Sequence, residues 1–77
     1  MSELIRVPKL GLTMTEATVG EWLVGPGDIV GAGEAMVDIE TDKIVHTVAC
    51  PAQGVVVALL AATGDVLPVG SALCEIE

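Results

Sequence analysis

Short apolar runs rich in valine, isoleucine and leucine alternate with glycine and proline along the whole chain. No window repeats its apolar residues at helical spacing, whereas several runs alternate apolar and polar residues as half-buried strands do. We therefore predict an all-β fold without helices. The eight predicted strands span residues 3–7, 16–24, 28–30, 35–40, 44–49, 54–60, 65–67 and 72–76.

The second half of the chain repeats the first at a distance of 37 residues. Across the windows 27–40 and 64–77, the two copies share glycine, aspartate, glycine, alanine, isoleucine and glutamate at equivalent positions. The repeat predicts a single domain, residues 1–77, built from two similar halves at about 1–40 and 44–77. We expect four strands and one apolar face from each half, with the two faces packed against each other.

The charge distribution excludes two classes of partner. The chain of 77 residues has a formal net charge of −8, and only Arg6, Lys9 and Lys43 are positive. Nucleic acids and anionic membranes bind clustered lysine and arginine, so neither is expected as a partner. An acidic domain is expected to approach proteins with basic clefts. We expect the isolated domain to be monomeric.

The start of the chain does not resemble an export signal, since Met1, Ser2 and Glu3 lead directly into strand-like residues. No apolar run is long enough to cross a bilayer. This pattern is typical of a bacterial cytoplasmic protein, and we prefer that location to the mitochondrial matrix.

Cysteine and histidine residues are too few to predict a metal site. Cys50 and Cys74 permit one disulfide, but both are expected to be free thiols in a reducing compartment. Cys74 matches Val37 in the repeat, so we expect it to act as a small core residue. His46 is the only histidine, and it shares an alternating face with Ile44 and Val48. We therefore predict a buried or half-buried structural histidine, with a pH-sensitive or partner-contacting role as the alternative, and no metal.

The most distinctive position is Lys43. The strand before it ends at Glu40 or Thr41 and the next begins at Ile44, which leaves two or three residues for a tight hairpin. Asp42 suits such a turn because its side chain accepts hydrogen bonds from nearby amides. Lys43 is expected to point into solvent, where its amine is available for covalent attachment. The alternative interpretation of this pattern alone is an ordinary surface lysine.

Several motifs share their spacing with a known family. They are Gly33 and Gly54, ten residues before and eleven after the lysine, together with Glu40-Thr41-Asp42-Lys43, Pro8-Lys9-Leu10-Gly11 and Gly20-Glu21-Trp22 followed by Gly27-Asp28. From about Leu4 to Ile76 the chain resembles a lipoyl domain, the lipoate-carrying module of the acyltransferase subunit in 2-oxo acid or acetoin dehydrogenase complexes. That family has a flattened barrel of two four-stranded antiparallel sheets with quasi-twofold symmetry.

The resemblance implies a carrier function. Lys43 would bear lipoic acid as an amide, put there by a lipoate-attaching enzyme. The arm would shuttle acyl groups and reducing equivalents between a thiamin-diphosphate-dependent decarboxylase, an acyltransferase catalytic domain and dihydrolipoyl dehydrogenase. The domain itself is expected to be non-catalytic, as part of a dihydrolipoamide acyltransferase, because no nucleophile is paired with a base.

Three further groups of residues are candidates for supporting roles. The attaching enzyme is expected to recognise the neighbours of the lysine, or these are simply solvated turn residues: Glu40, Thr41, Asp42 and Ile44. Gly33 and Gly54 are predicted to supply backbone geometry that aligns the two strands of the hairpin. The family's decarboxylase-docking loop, which could instead form a minor apolar cluster, corresponds to Leu10, Gly11, Leu12 and Thr13.

Two other functions remain open. A biotin carrier has a closely similar fold, but its modified lysine normally lies between two methionines, whereas Asp42 and Ile44 flank Lys43 here. An unmodified barrel used for binding or scaffolding would keep the repeat without needing Lys43.

Overall fold

The computed structural model describes residues 2–9, 14–41 and 44–77, and these ranges contain eight strands and no helix. None of the described segments therefore provides an apolar helix long enough to cross a membrane. Every predicted strand is present, and its ends differ from the prediction by at most two residues. The strands are β1 (Glu3–Arg6), β2 (Glu16–Trp22), β3 (Ile29–Val30), β4 (Ala35–Thr41), β5 (Ile44–Ala49), β6 (Gly54–Leu59), β7 (Val66–Pro68) and β8 (Ala72–Ile76).

The strands form two four-stranded antiparallel sheets, as the resemblance implied. One sheet has the order β1-β8-β6-β3 and the other the order β5-β4-β2-β7. The expectation that each half of the repeat forms its own face is wrong, because each sheet takes two strands from each half. Within the first half only β2 and β4 pair with each other, and within the second only β6 and β8. Neither half can satisfy its strand edges alone, so the halves interlock.

The core lies between the two sheets and is aliphatic. Met36, Ile39 and Leu73 are its largest fully buried side chains. Each contributes about 2 kcal/mol relative to an exposed position. Trp22 is half-buried and packs against this core at its margin, where its indole Nε1 donates a hydrogen bond of 3.0 Å to the carbonyl oxygen of Ala61. The barrel is therefore held by many small contacts rather than by stacked rings.

Equivalent turns in the two halves explain the repeated Gly-Asp pair. Gly27 and Gly64 have φ values of 92° and 97°, a conformation that glycine adopts without a steric penalty. The following aspartates each accept a hydrogen bond from a backbone amide three residues earlier. The two distances are 2.8 Å, from Gly25 to Asp28, and 2.9 Å, from Ala62 to Asp65. The sequence repeat is thus a repeat of turn chemistry.

The two cysteines are free and buried, as predicted for Cys74 from its position in the repeat. Cys50 donates its thiol hydrogen to the carbonyl oxygen of Ala52. Burial, together with a smaller contribution from the neighbouring Cys50, raises the pKa of the Cys74 thiol to about 11. The folded protein therefore holds Cys74 as a neutral thiol at a pH where the unfolded chain ionises it.

This pKa shift predicts a loss of stability at alkaline pH. Between pH 9 and about 11 the unfolded state gives up the Cys74 proton and the folded state keeps it, so the free energy of unfolding falls as the pH rises. Urea unfolding across this range measures the slope. The variant Cys74→Val, which is similar in volume and has no ionisable group, should show a shallower fall. Identical slopes in the two proteins would contradict the assignment.

Candidate functional site

The β4–β5 hairpin brackets the candidate lysine. The strands pair through Asp38 with Thr47 and continue to Thr41 with Ile44. The ladder thus leaves two residues, numbers 42 and 43, to join the strands. These are Asp42 and Lys43, and both lie outside the described residues. Two-residue connections are the commonest in β-hairpins, so the pairing matches the short reversal that the sequence predicts.

The end of this hairpin presents apolar side chains to solvent. Ile44 is 55% exposed and Val45 is 60% exposed. Glu40 pairs with Val45 and is also exposed, while Thr41 is half-buried. The structure therefore brings three of the predicted recognition residues, Glu40, Thr41 and Ile44, to one strand end. Val45, which is exposed at the same strand end, was not among the recognition residues predicted from the sequence. The signal for it was the alternation along β5, which puts Val45 on the face opposite the buried Val48.

The neighbouring strands brace the base of the hairpin. The Thr47 hydroxyl donates a hydrogen bond of 2.8 Å to a carboxylate oxygen of Asp38 across the two strands. Strand β2 passes so close to β4 that a Cβ at Gly20 would lie 3.0 Å from the backbone oxygen of Asp38. The strand that leads towards Lys43 is therefore central in its sheet and is paired on both sides.

Gly33 supports the opposite end of the same hairpin. Its φ of 84° favours glycine. Its amide donates to the carbonyl oxygen of Cys50 at 2.7 Å, and the Cys50 amide donates to that of Glu34 at 2.8 Å. This pair of bonds lies just before β4 and just after β5, where it helps to set the alignment of the two strands.

Gly54 has a different physical role from the one expected. It lies in β6, in the other sheet, and pairs with Val30 rather than with the hairpin. A Cβ at this position would lie 2.5 Å from Cγ2 of Ile76 and 3.0 Å from the carbonyl oxygen of Glu77. The residue is therefore glycine because β6 and the end of β8 approach closely.

The predicted docking loop, Leu10 to Thr13, lies outside the described residues, but the chain on both sides of it is held. The Val7 amide donates to the carbonyl oxygen of Ser71 at 2.9 Å, and the Thr15 carbonyl accepts from the Val69 amide at 3.0 Å. Strand β2 then starts at Glu16 and runs antiparallel to β4. The residues after the loop are therefore at the same end of the sheet as Thr41 and Ile44.

His46 is half-buried, as predicted, and pairs with Ile39 in the β4–β5 ladder. It lies beside a groove between β5 and β1. In the part of the chain that the structure describes, no group of three His, Cys, Asp or Glu side chains could hold a metal ion. The His46 side chain is therefore one of the residues that line the groove.

Comparison with known proteins identifies relatives across the whole domain. A family model described as "Biotin-requiring enzyme" (Biotin_lipoyl) matches residues 3–76. The chain is 43% identical over 72 residues to the dihydrolipoyllysine-residue succinyltransferase component of the 2-oxoglutarate dehydrogenase complex of Staphylococcus saprophyticus. It is 45% identical over 69 residues to the dihydrolipoyllysine-residue acetyltransferase component of the acetoin cleaving system of Cupriavidus necator. These matches cover 94% and 90% of the chain but only 17% and 18% of the relatives.

Solved structures show the same fold. The lipoyl domain of the 2-oxoglutarate dehydrogenase complex from Azotobacter vinelandii superposes with a TM-score of 0.79 at 34% identity, over 96% of this chain and 94% of that one. The Kluyveromyces lactis urea carboxylase, at 23% identity, has a TM-score of 0.84 over 100% of this chain and 6% of its own, which shows the fold alone. By these similarities the chain belongs to the biotin/lipoyl attachment family, within which it is a lipoyl domain and a non-catalytic carrier.

Proposed function

We propose that Lys43 carries lipoic acid in amide linkage and that the domain presents this group to the enzymes of a 2-oxo acid or acetoin dehydrogenase complex. The observation that carries the proposal is the β4–β5 ladder, which closes with Thr41 opposite Ile44. The sequence places Asp42 and Lys43 in the connection between them. A lysine in that connection therefore lies between β4 and β5, which pair with each other up to the residues on either side of the connection.

The residues of the chain supply a platform and a tether. The bond between Thr47 and Asp38 and the pairing of β4 on both edges keep the hairpin base in one geometry. The Lys43 side chain supplies the flexible stem. When bound, lipoate supplies a dithiolane that accepts acyl groups and electrons. A tethered group is present at a high effective concentration near each active site within its reach. The cofactor therefore does not have to diffuse freely from one enzyme to the next.

The charge and exposed apolar residues around the hairpin indicate what kind of protein partner would fit this surface. Glu40 adds negative charge beside the exposed Ile44 and Val45, and the chain has a formal net charge of −8. An active-site entrance lined by basic and apolar residues would complement this surface, since the basic residues would face Glu40 and the apolar residues would face Ile44 and Val45. We assign it to the lipoate-attaching enzyme, the thiamin-diphosphate-dependent decarboxylase, the acyltransferase catalytic domain and dihydrolipoyl dehydrogenase. Residues 10–13 are proposed as a second contact for the decarboxylase.

Biotin carriage is the competing function, because the fold is shared with a carboxylase. The two neighbours of the lysine argue against it. Asp42 and Ile44 flank Lys43, in place of the two methionines expected of a biotin carrier. The relatives with substantial identity are dihydrolipoyllysine-residue acyltransferase components, which favours lipoate.

Intact-mass spectrometry tests the proposal. The domain is produced in a host that is competent for both lipoylation and biotinylation. We expect the mass increment of one lipoyl group and no biotinyl increment. The lipoylated domain is then incubated with purified decarboxylases and their 2-oxo acids or acetoin, and acyl transfer to the domain is followed by mass. An unmodified chain or a biotinylated chain would overturn the proposal.

A further inference from the structure

A groove of about 380 Å³ runs between β1 and β5, the edge strands that the two sheets present to each other on one side of the barrel. Strand β1 pairs only with β8, and β5 pairs only with β4. The volume falls within the range of small-molecule sites in proteins. Most of the lining is apolar, from Leu4, Ile5, Pro8, Val48, Ala49 and Pro51.

Two of the polar side chains that line the groove already have partners. The Arg6 guanidinium donates a hydrogen bond of 2.8 Å to the carbonyl oxygen of Gly70. The Thr47 hydroxyl donates to Asp38 at 2.8 Å. His46 and Glu3 complete the polar part of the lining, at different positions along the groove. Because the charges of Glu3 and Arg6 are opposite, the lining has no net charge, and the groove matches a neutral, mainly apolar ligand with one polar group near His46.

The groove begins close to the candidate attachment residue. His46 lies two residues beyond Ile44, the strand position that follows Lys43. From residue 43 to Val48 there are five residue steps, which in an extended chain span about 17 Å at roughly 3.3 Å per residue. A lysine stem extended by a lipoyl chain contains about a dozen bonds of about 1.5 Å, which in a zigzag spans roughly 14 Å. A fully extended arm on residue 43 thus ends near the level of Thr47, within an apolar contact distance of about 4 Å of Val48.

We propose that the groove between β1 and β5 is a resting site for the lipoyl arm of the same domain. The inference rests on the proposed lipoylation of Lys43. The dithiolane end of the arm packs against Leu4 and Val48, the octanoyl chain passes His46, and the amide lies between the levels of Val45 and His46. Covalent attachment makes the encounter intramolecular, so weak contacts suffice to populate the docked state. Docking covers the dithiolane between visits to enzymes, and a partner's active site competes with the groove for it.

Nuclear magnetic resonance of the lipoylated and unmodified domain tests this site. We expect amide shift changes at Leu4–Arg6 and at His46–Ala49, in addition to those flanking residue 43. Nuclear Overhauser effects are expected between arm methylenes and the methyl groups of Leu4 and Val48. Changes confined to residues 40–45, with no such Overhauser effects, would overturn the resting site while leaving lipoylation intact.

Two leucine variants provide a matched comparison. Leu4 is 41% exposed in the groove, and Leu60 is 51% exposed outside it. Leu4→Gln is expected to weaken the Overhauser effects from the arm, whereas Leu60→Gln should leave them unchanged. In a titration of the unmodified domain with free lipoamide, Leu4→Gln should reduce the affinity about fivefold. Equal effects of the two variants would count against the groove.

The lipoamide titration also separates the two proposals. If mass spectrometry finds no lipoyl group on the chain, the proposed function fails. The titration of the unmodified domain with lipoamide still shows whether the groove binds this ligand. Shift changes at Leu4 and Val48 would then support an apolar ligand site. Absence of binding, or binding only at the depression beside Trp22 and Leu60, would exclude it.

Discussion

Replacing Lys43 with arginine is expected to abolish the lipoyl mass increment and all acyl transfer to the domain. The guanidinium of arginine stays protonated in proteins, so it cannot act as the amine nucleophile that forms an amide. The substitution keeps the positive charge and the length of the hairpin connection. We therefore expect a thermal midpoint close to that of the parent chain. Intact mass, acyl transfer and circular dichroism measure the three outcomes on one preparation.

Lys9 provides the matched control for this experiment, because it is the only other lysine in the chain. It is exposed and lies outside the β4–β5 hairpin. Lys9→Arg should be modified as fully as the parent chain. A lipoyl increment that survives Lys43→Arg, or one that disappears with Lys9→Arg, would place the attachment elsewhere and refute the assignment.

Gly54→Ala is expected to lower the free energy of unfolding by about 2 kcal/mol, the usual scale for overpacking a tight site. The added Cβ would lie 2.5 Å from Cγ2 of Ile76 and 3.0 Å from the carbonyl oxygen of Glu77. Neither atom can move freely. Ile76 is buried, and the backbone of Glu77 exchanges hydrogen bonds of 2.8 and 2.9 Å with Val55. For a domain of this size the thermal midpoint should fall by roughly 8–16 °C.

Gly31→Ala is the control for the backbone change alone. A Cβ at Gly31 meets no atom within 4 Å, and the residue does not have a positive φ. The substitution should change the free energy of unfolding by less than about 0.5 kcal/mol. Calorimetry or urea unfolding of both variants gives the comparison. Equal destabilisation of the two would show that flexibility, rather than the approach of β6 to the end of β8, explains the glycine at position 54.

The strands and turns were predictable because their signals are local. Alternation along 44–49 marks β5 and its buried Val48. The repeated Gly-Asp pairs mark two turns whose glycines have positive φ. The position of Lys43 between two strands also follows from local pattern. In each case residues close in the sequence determine the backbone conformation through sterics and short hydrogen bonds.

The assignment of strands to sheets was not predictable in the same way. The repeat favoured one face per half, yet β1 pairs with β8 and β7 pairs with β2. Such pairings join residues far apart in the sequence, and no local preference distinguishes one edge from another. They are chosen because they satisfy the strand hydrogen bonds and bury both apolar faces at once. The close contact of Gly54 with Ile76 results from this choice.

Local sequence patterns were enough to predict the eight strands and to put one lysine between two of them. The folded chain was needed to show which strands share a sheet, that Ile44 and Val45 are exposed, and that β1 and β5 enclose a groove. The difference arises from the distance along the chain over which each property is set. Backbone conformation depends on neighbours along the chain, whereas exposure and cavities depend on how distant strands pack around a common core.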